Sequence, residues 1–332
     1  MPRFDVDVLV VGGGPAGLAA ARFAALSGLS AMVAEPRQAP VDKACGEGIM
    51  PGGLASLRTL GLSLDGVPFH GIAYVDGSSS VVARFANGPG LGVRRTALHC
   101  SLSAGVECVP VRVTSLEQGP DWVRAGGITA RWLIAADGLH STVRRCVGVQ
   151  SFAGTPRRYG LRAHWNARPW SEFVEVWWSR LGEAYVTPVA PDVVGVAILS
   201  ASRAWLDAFP GLEDRLGKRI GSVRGAGPLR QVVSRRVAGR VLFVGDSAGY
   251  EDALTGEGIS LAVKQARAAI ASIADGDPAR YERDWQRITR EYRMLTRGLV
   301  VATRFPVARK AIVPLSARLP SVFTAIVNRL AA

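Results

Sequence analysis

Cysteine is scarce in this chain. Four occur in 332 residues (Cys45, Cys100, Cys108 and Cys146), and no two are within CxxC reach. That spacing argues against a disulfide framework and points to a reducing cytoplasm. Histidine is equally rare, and no cysteine–histidine cluster offers the ligand set of a zinc site. No run of 18 or more apolar residues is present, so no membrane-spanning helix is expected. The chain passes from Met1-Pro2-Arg3 straight into a short alternating segment that holds an acid, unlike a secretory signal. No motif of an RNA or DNA reader occurs, so nucleic acid is not an expected partner.

What is present is a large apolar fraction, 48%, enough for a substantial core in one or two domains. The net charge is +13, and much of it is C-terminal. Between Ala279 and Ala332 eleven Lys and Arg stand against three acids, a net +8. Such a tail suits an anionic bilayer surface or an anionic ligand, or is an arginine-rich solvated helix face.

The first ordered signal is "DVDVLVVGGGPAGLAAARFAALSGLSAMVAEP". A valine-rich strand over residues 5–11 runs into glycines, then a helix from Ala16 to Leu26, then a second strand ending on an acid. Gly12, Gly14 and Gly17 form G-x-G-x-x-G between strand and helix. Gly12 permits the tight turn, Gly14 lets backbone approach a pyrophosphate, and Gly17 lets helix and strand pack closely. The phosphates would sit at the helix N-terminus, where unpaired N–H groups point at them. Glu35 closes the second strand, placed to accept hydrogen bonds from a ribose and to disfavour a 2′-phosphate. This stretch alone admits NAD or FAD.

Two later motifs follow. "RWLIAADGLHSTVRR" ends an apolar strand in Asp137-Gly138. "RVLFVGDSAGYEDALTGEGI" ends a buried strand in Gly245-Asp246, where an acid can hold the hydroxyls of a ribityl chain. Gly256 and Gly258 then let a long helix start against a flat ring. That helix N-terminus would stabilise the negative charge of a reduced flavin. No second G-x-G-x-x-G provides a nicotinamide domain.

The ordered set resembles the FAD-dependent group of para-hydroxybenzoate hydroxylase-like aromatic monooxygenases and geranylgeranyl reductases. "GVRRTALHCSL", with Arg95, is the third family signal. "KACGEGIMPGG" and "LTGEGI" are most similar to the geranylgeranyl reductase-like branch, including small bacterial flavoproteins associated with type III polyketide lipids. The resemblance implies an α/β fold: a GR2-type, Rossmann-like FAD-binding domain over 1–150 and 232–275. It also implies an antiparallel β substrate domain inserted at 151–231 and a C-terminal helical region over 276–332. It assigns FAD to Gly12, Gly14, Pro15, Ala16, Gly17, Glu35, Pro36, Arg37, Cys45, Gly46, Arg95, Asp137, Gly138, Gly245, Asp246, Gly256, Glu257, Gly258 and Ile259. NADH or NADPH would bind transiently as donor. The first expected activity is hydroxylation of an electron-rich, phenolic or lipid-like ring with O2, through a flavin C4a-hydroperoxide. The alternative is saturation of C=C bonds in a prenyl or polyketide lipid. A non-catalytic flavin-binding protein would leave the motif set without a task. A flavin-dependent halogenase would be expected to carry W-x-W-x-x-I-P, which is absent.

In this fold the glycine-rich loop around Cys45 passes the flavin ring. Cys45 reads as a small wall residue, as a shaper of substrate access, or as a covalent or redox group, and Glu47 as an acid able to act on a phenol or as a side chain that faces water. His164 and His99 are the histidines of interest; each reads either as a satisfied structural side chain or as a catalytic base, and His164 is the candidate base. Strand-like segments from Phe152 to Leu199 bring Trp165, Trp177, Trp178 and Tyr185, flat walls for a substrate pocket formed by Trp165, Trp177 and Tyr185, though any one of them taken singly also reads as a plain core or sheet-surface aromatic. Residues 279–301 read as a helix with a stripe of Tyr281, Trp285, Ile288, Tyr292 and Leu295. Beyond it, breaks are expected at Pro306, Pro314 and Pro320. These apolar, arginine-bearing pieces suit peripheral contact with the inner membrane face or a helical lid.

Overall fold

A computed structural model describes residues 3–77, 79–155, 157–202 and 205–332. The strand Val6–Val11 is central to a sheet of eight. It pairs in parallel with Ala31–Ala34 and with Ile128–Ala135. Val241–Phe243 and Cys108–Val109 extend the parallel order on the two sides. The inner strands are mostly buried on both faces and are rich in valine, leucine and isoleucine, with the polar Asp7 and Arg131 in the first halves of their strands.

Among the described residues eight α-helices follow one another: α1 (Pro15–Leu26), α2 (Pro51–Arg58), α3 (Arg95–Ser103), α4 (Thr142–Cys146), α5 (Gly258–Ala274), α6 (Arg280–Ala302), α7 (Pro306–Arg318) and α8 (Pro320–Ala331). α1 packs on α5 through alanines, and α6 adds Tyr281 and Trp285 to the same core. The Tyr281 hydroxyl donates to the Phe243 carbonyl at 2.8 Å, which ties α6 to the parallel sheet. The buried stripe of α6 differs from the expected one. It runs Tyr281, Trp285, Thr289, Tyr292, Thr296 and Val300, while Ile288 and Leu295 are half-buried. The threonines fit because Thr289 bonds the Trp285 carbonyl and Thr296 meets Thr255.

The second sheet has seven strands in the order Arg219–Ala226, Tyr159–Asn166, Val193–Ser200, Gly182–Ala190, Val174–Trp178, Gly71–Asp76, Ser79–Arg84. Two of its strands therefore come from 71–84, so the substrate sheet is not confined to 151–231. It is also mixed, because Val174–Trp178 pairs in parallel with Gly71–Asp76 where the chain crosses from the other half.

Pro306 and Pro320 occupy first turns, where a missing N–H costs nothing. Pro314 does not break the chain: α7 continues through it. The bend comes instead at Leu319, where α7 and α8 meet at 104°. Among the described residues no single helix is long and apolar enough to cross a membrane.

Candidate functional site

The nucleotide cradle follows from three glycines. Gly12 has φ +108°, and a Cβ there would lie 2.5 Å from the Ala136 carbonyl oxygen. A Cβ on Gly17 would lie 1.9 Å from the Gly12 carbonyl oxygen, so helix and strand touch backbone to backbone. Gly14 has nothing within 4 Å of a Cβ, leaving that face open to a ligand. α1 has no side-chain cap and no acid in its first turn, so its leading N–H groups remain available to phosphate. Glu35 is buried and accepts from the Gly13 amide at 2.9 Å and from Arg37 at 2.7 and 2.8 Å. Burial alone would raise its pKa, but the Arg37 and Gly13 donors outweigh it and bring the carboxyl down to about 2. Pro36 and Arg37 themselves are exposed.

Between the two sheets lies a cavity of about 310 Å³. One end is walled by Gly14, Pro15 and Ala16 from α1, by Cys45 and Gly46, by Arg95, by Gly138, and by Gly245 and Asp246. Gly256, Gly258 and Ile259 bring the N-terminus of α5 to the same end. Arg95 is 4% exposed, and its Nη1 has no partner among the described residues. Asp246 faces this space too; burial raises its carboxyl pKa, opposed by Lys43, Arg144 and Arg95. An open phosphate turn, a ribose acid, an unpartnered buried guanidinium and a free helix N-terminus over a flat slot fit FAD.

Several predicted ligands act indirectly. Gly12 and Gly17 lie beneath the turn. Asp137 does not line the cavity: its Oδ2 accepts from the Thr142 and Val143 amides at 2.7 and 3.1 Å and caps α4. Glu257 also stays outside the cavity. Its Oε2 is buried without a partner among the described residues, and burial lifts its pKa to about 7. Arg144, absent from the predicted ligands, joins the two acidic turns by donating to the Ser247 and Leu139 carbonyls. Its place in "DGLHSTVRR" was visible, but its partner a hundred residues away was not.

The loop after the second strand is held by a buried polar chain. Glu47 is 2% exposed and has φ +60°, rare for a side chain larger than glycine. Its Oε1 accepts from the Arg95 amide at 2.7 Å and its Oε2 meets His164 Nε2 at 2.5 Å. Arg162 Nη1 lies 3.1 Å from His164 Nδ1. Arginine only donates, so Nδ1 accepts and the ring proton sits on Nε2, donated to Glu47. Arg162 continues to Asp42. Both ring nitrogens of His164 are thus engaged and the ring does not line the cavity, which removes it as a base toward substrate. His99 is buried elsewhere, its pKa lowered by burial and by Arg95. Glu47 touches the cavity but braces the loop with both oxygens. Cys45 lines the cavity, accepts a weak 3.4 Å bond from the Glu47 amide, and is kept a neutral thiol as burial raises its pKa against the nearby Arg95 charge.

The far end is apolar: Phe69, Ile72, Tyr74, Val176, Leu199 and, from α8, Phe323 and Val327. Tyr185 lines it and donates to the Leu254 carbonyl at 2.7 Å. Trp165 and Trp177 do not line it. They point to the other face of the same sheet, packed with Trp205, Leu206 and Phe209 in a separate core. Period two explains this, since Val176 and Tyr185 share one face while Trp165, Trp177 and Ala184 share the other. Trp178 is on the cavity side but is covered by Tyr74, edge-on at 5.2 Å. Tyr74 and Phe323 went unnoticed in the sequence because neither belongs to a motif.

Comparison with known proteins agrees with this geometry. A model described as an FAD binding domain matches residues 5–68 and 82–205. A menaquinone reductase of Mycolicibacterium smegmatis is 28% identical, over 90% of this chain and 83% of its own. A digeranylgeranylglycerophospholipid reductase of Methanothermobacter thermautotrophicus is 26% identical, over 86% and 83%. The fold is similar to that of a triple mutant of the flavin-dependent brominase Bmp2, with TM-score 0.78 and 19% identity over 98% of this chain and 94% of that one. Cradle, cavity and family model together make this chain a member of the FAD binding domain family, and an FAD-dependent oxidoreductase.

Proposed function

We propose that the enzyme saturates C=C bonds in the isoprenoid chain of a lipid, with NADH or NADPH as transient donor. The observation that carries this reading is the polarity of the cavity. Next to the flavin walls, Glu47 has both oxygens engaged, His164 is turned away, and the thiol of Cys45 is held protonated. Beyond them the slot is apolar, suited to a hydrocarbon chain. The two reductase relatives support it, because each aligns along most of this chain.

FAD held by these walls would supply hydride chemistry toward an alkene in the slot. Cys45 is placed to give the second alkene carbon its proton: the S–H bond breaks, a C–H bond forms, and the thiolate regains a proton from solvent. Arg95 stabilises that thiolate, as its charge already opposes the effect of burial on the thiol. Glu47, through the Arg95 amide and its own amide on Cys45, fixes the distance between thiol and guanidinium. A hydrocarbon chain filling the apolar slot would keep water from the reacting carbons, which protects the hydride from side reactions.

The second reading is hydroxylation of an electron-rich ring, favoured by the flat walls Phe69, Tyr74 and Tyr185. It requires a base for the phenol, and the two candidates near the flavin walls are engaged. The test is anaerobic reduction of the holoenzyme followed by a prenyl lipid, or by oxygenated buffer with a long-chain resorcinol. Gain of two hydrogens per double bond without O2 is expected. A product that gains one oxygen atom from O2, with the prenyl lipid unchanged, would overturn the reading in favour of the second. Cys45→Ser should slow lipid saturation by about 10²-fold or more while flavin reduction by NAD(P)H is unchanged. Saturation at the wild-type rate would leave Cys45 a wall residue.

A further inference from the structure

Exposed apolar side chains gather on α7 and α8. Val307 is 82% exposed, Leu315 51%, Leu319 54% and Val322 51%. Along the same faces lie Lys310 and Arg318. No acid occurs between residues 292 and 332. Arg309 and Arg329 are paired with Glu183 and Glu291, but Lys310 and Arg318 make no ion pair among the described residues.

The inner face of α8 is part of the body. Phe323 and Val327 are buried on the seven-stranded sheet and line the cavity. Arg309 holds α7 to the same sheet, with Nη2 2.8 Å from Glu183 Oε2. The pair therefore cannot swing out to span a bilayer without abandoning this core. It can lie in the interface plane, apolar side chains down and cations among the headgroups. Ile326 is 46% exposed and also lines the cavity, so the cavity reaches the surface on this face. A second copy of the chain is a poor occupant, since it would set two acid-free, cationic faces against each other.

We propose that α7 and α8 dock this enzyme on an anionic bilayer, and that the substrate passes from that bilayer into the cavity beside Ile326. The entry route rests on the lipid reading above; the docking does not. Anionic headgroups would answer the unpaired cations, and the acyl region would cover Val307, Leu315, Leu319 and Val322.

The test is flotation of the holoenzyme with phosphatidylcholine vesicles, with and without phosphatidylglycerol. Flotation should require phosphatidylglycerol and weaken at high salt. The double variant L315E/V322E should lower the bound fraction roughly tenfold or more at unchanged melting temperature and flavin spectrum. If that variant does not fold, K310E/R318E, at two exposed positions, reads the same surface. No flotation at any phosphatidylglycerol content, or variants that float like wild type, would overturn the proposal. So would a lipid-free dimer that L315E/V322E dissolves, which would make the face an interface between copies. Flotation needs no turnover, so retained flotation with failed lipid saturation would sink the reductase reading alone.

Discussion

The two faces of the seven-stranded sheet share one backbone and have opposite fates. On one face Trp165, Trp177, Ala184, Val196 and Ile198 meet the 205–216 segment and pack shut. On the other, Tyr74, Val176, Tyr185, Thr187 and Leu199 stand around a cavity. Both faces are rich in apolar and aromatic side chains, so composition does not tell them apart. What differs is the covering layer. The closed face has a short apolar segment laid directly on it, whereas the open face meets the flavin half across a gap and α8 at the side. A functional slot here is a place where two buried surfaces are held apart by polar pins, of which Glu47–His164 and Tyr185–Leu254 are two.

The sharpest break of this contrast is Trp177→Ala. Trp177 is 4% exposed and donates to Glu175 at 2.8 Å. Its loss should cost about 3–5 kcal/mol of unfolding free energy, read by denaturant titration, with KM unchanged. A changed KM at unchanged stability would reverse the assignment of the two faces.

A second contrast lies between two acids of the flavin half, Glu257 and Glu35. The Glu257 pKa is raised from 4.5 to about 7 by burial, so its stabilising contribution is fully present below pH 4.5 and lost as pH rises through 7. Glu257→Gln should therefore match wild type in acid and be more stable by about 2 kcal/mol at pH 8. A pH-independent difference would show that the carboxyl is not desolvated.

On the open face, Val176→Phe adds bulk to a cavity wall. KM for a lipid substrate should rise about tenfold, as expected for a lost methylene-scale fit, with little change in melting temperature. A large stability loss would mean that this face is packed like the other.

The smallest expected effect belongs to Glu35. Its pKa is lowered from 4.5 to about 2, so its contribution is present above pH 4.5 and lost as pH falls through 2. Glu35→Gln should cost about 1 kcal/mol at pH 7, discounted because Arg37 is solvent-exposed, and the cost should vanish toward pH 2. FAD affinity should fall in parallel, measured by flavin fluorescence.

Much of the flavin half was legible in the chain. Strand, glycine turn and helix follow each other within a few residues; Gly12 and Gly17 carry a geometry that backbone sterics demand, and Gly14 leaves the turn open to a ligand. Asp137, Glu257 and His164 were legible as polar residues at telling places, but not as to what their side chains touch. Asp137 caps a helix that starts five residues on, His164 meets an acid more than a hundred residues away, and Glu257 turns from the cavity. The helices after Arg280 were visible as amphipathic segments, yet the register of the α6 stripe and the continuity through Pro314 depended on what lay beneath them.

The amino-acid order by itself determined the cradle for a dinucleotide, because turn, helix start and terminal acid are set by near neighbours whose sterics and dipoles act locally. Only the tertiary structure decided which face of the second sheet stayed open and which histidine was engaged. A sheet buried on both sides carries no polar alternation to mark its faces, and long-range hydrogen bonds leave no trace in local spacing.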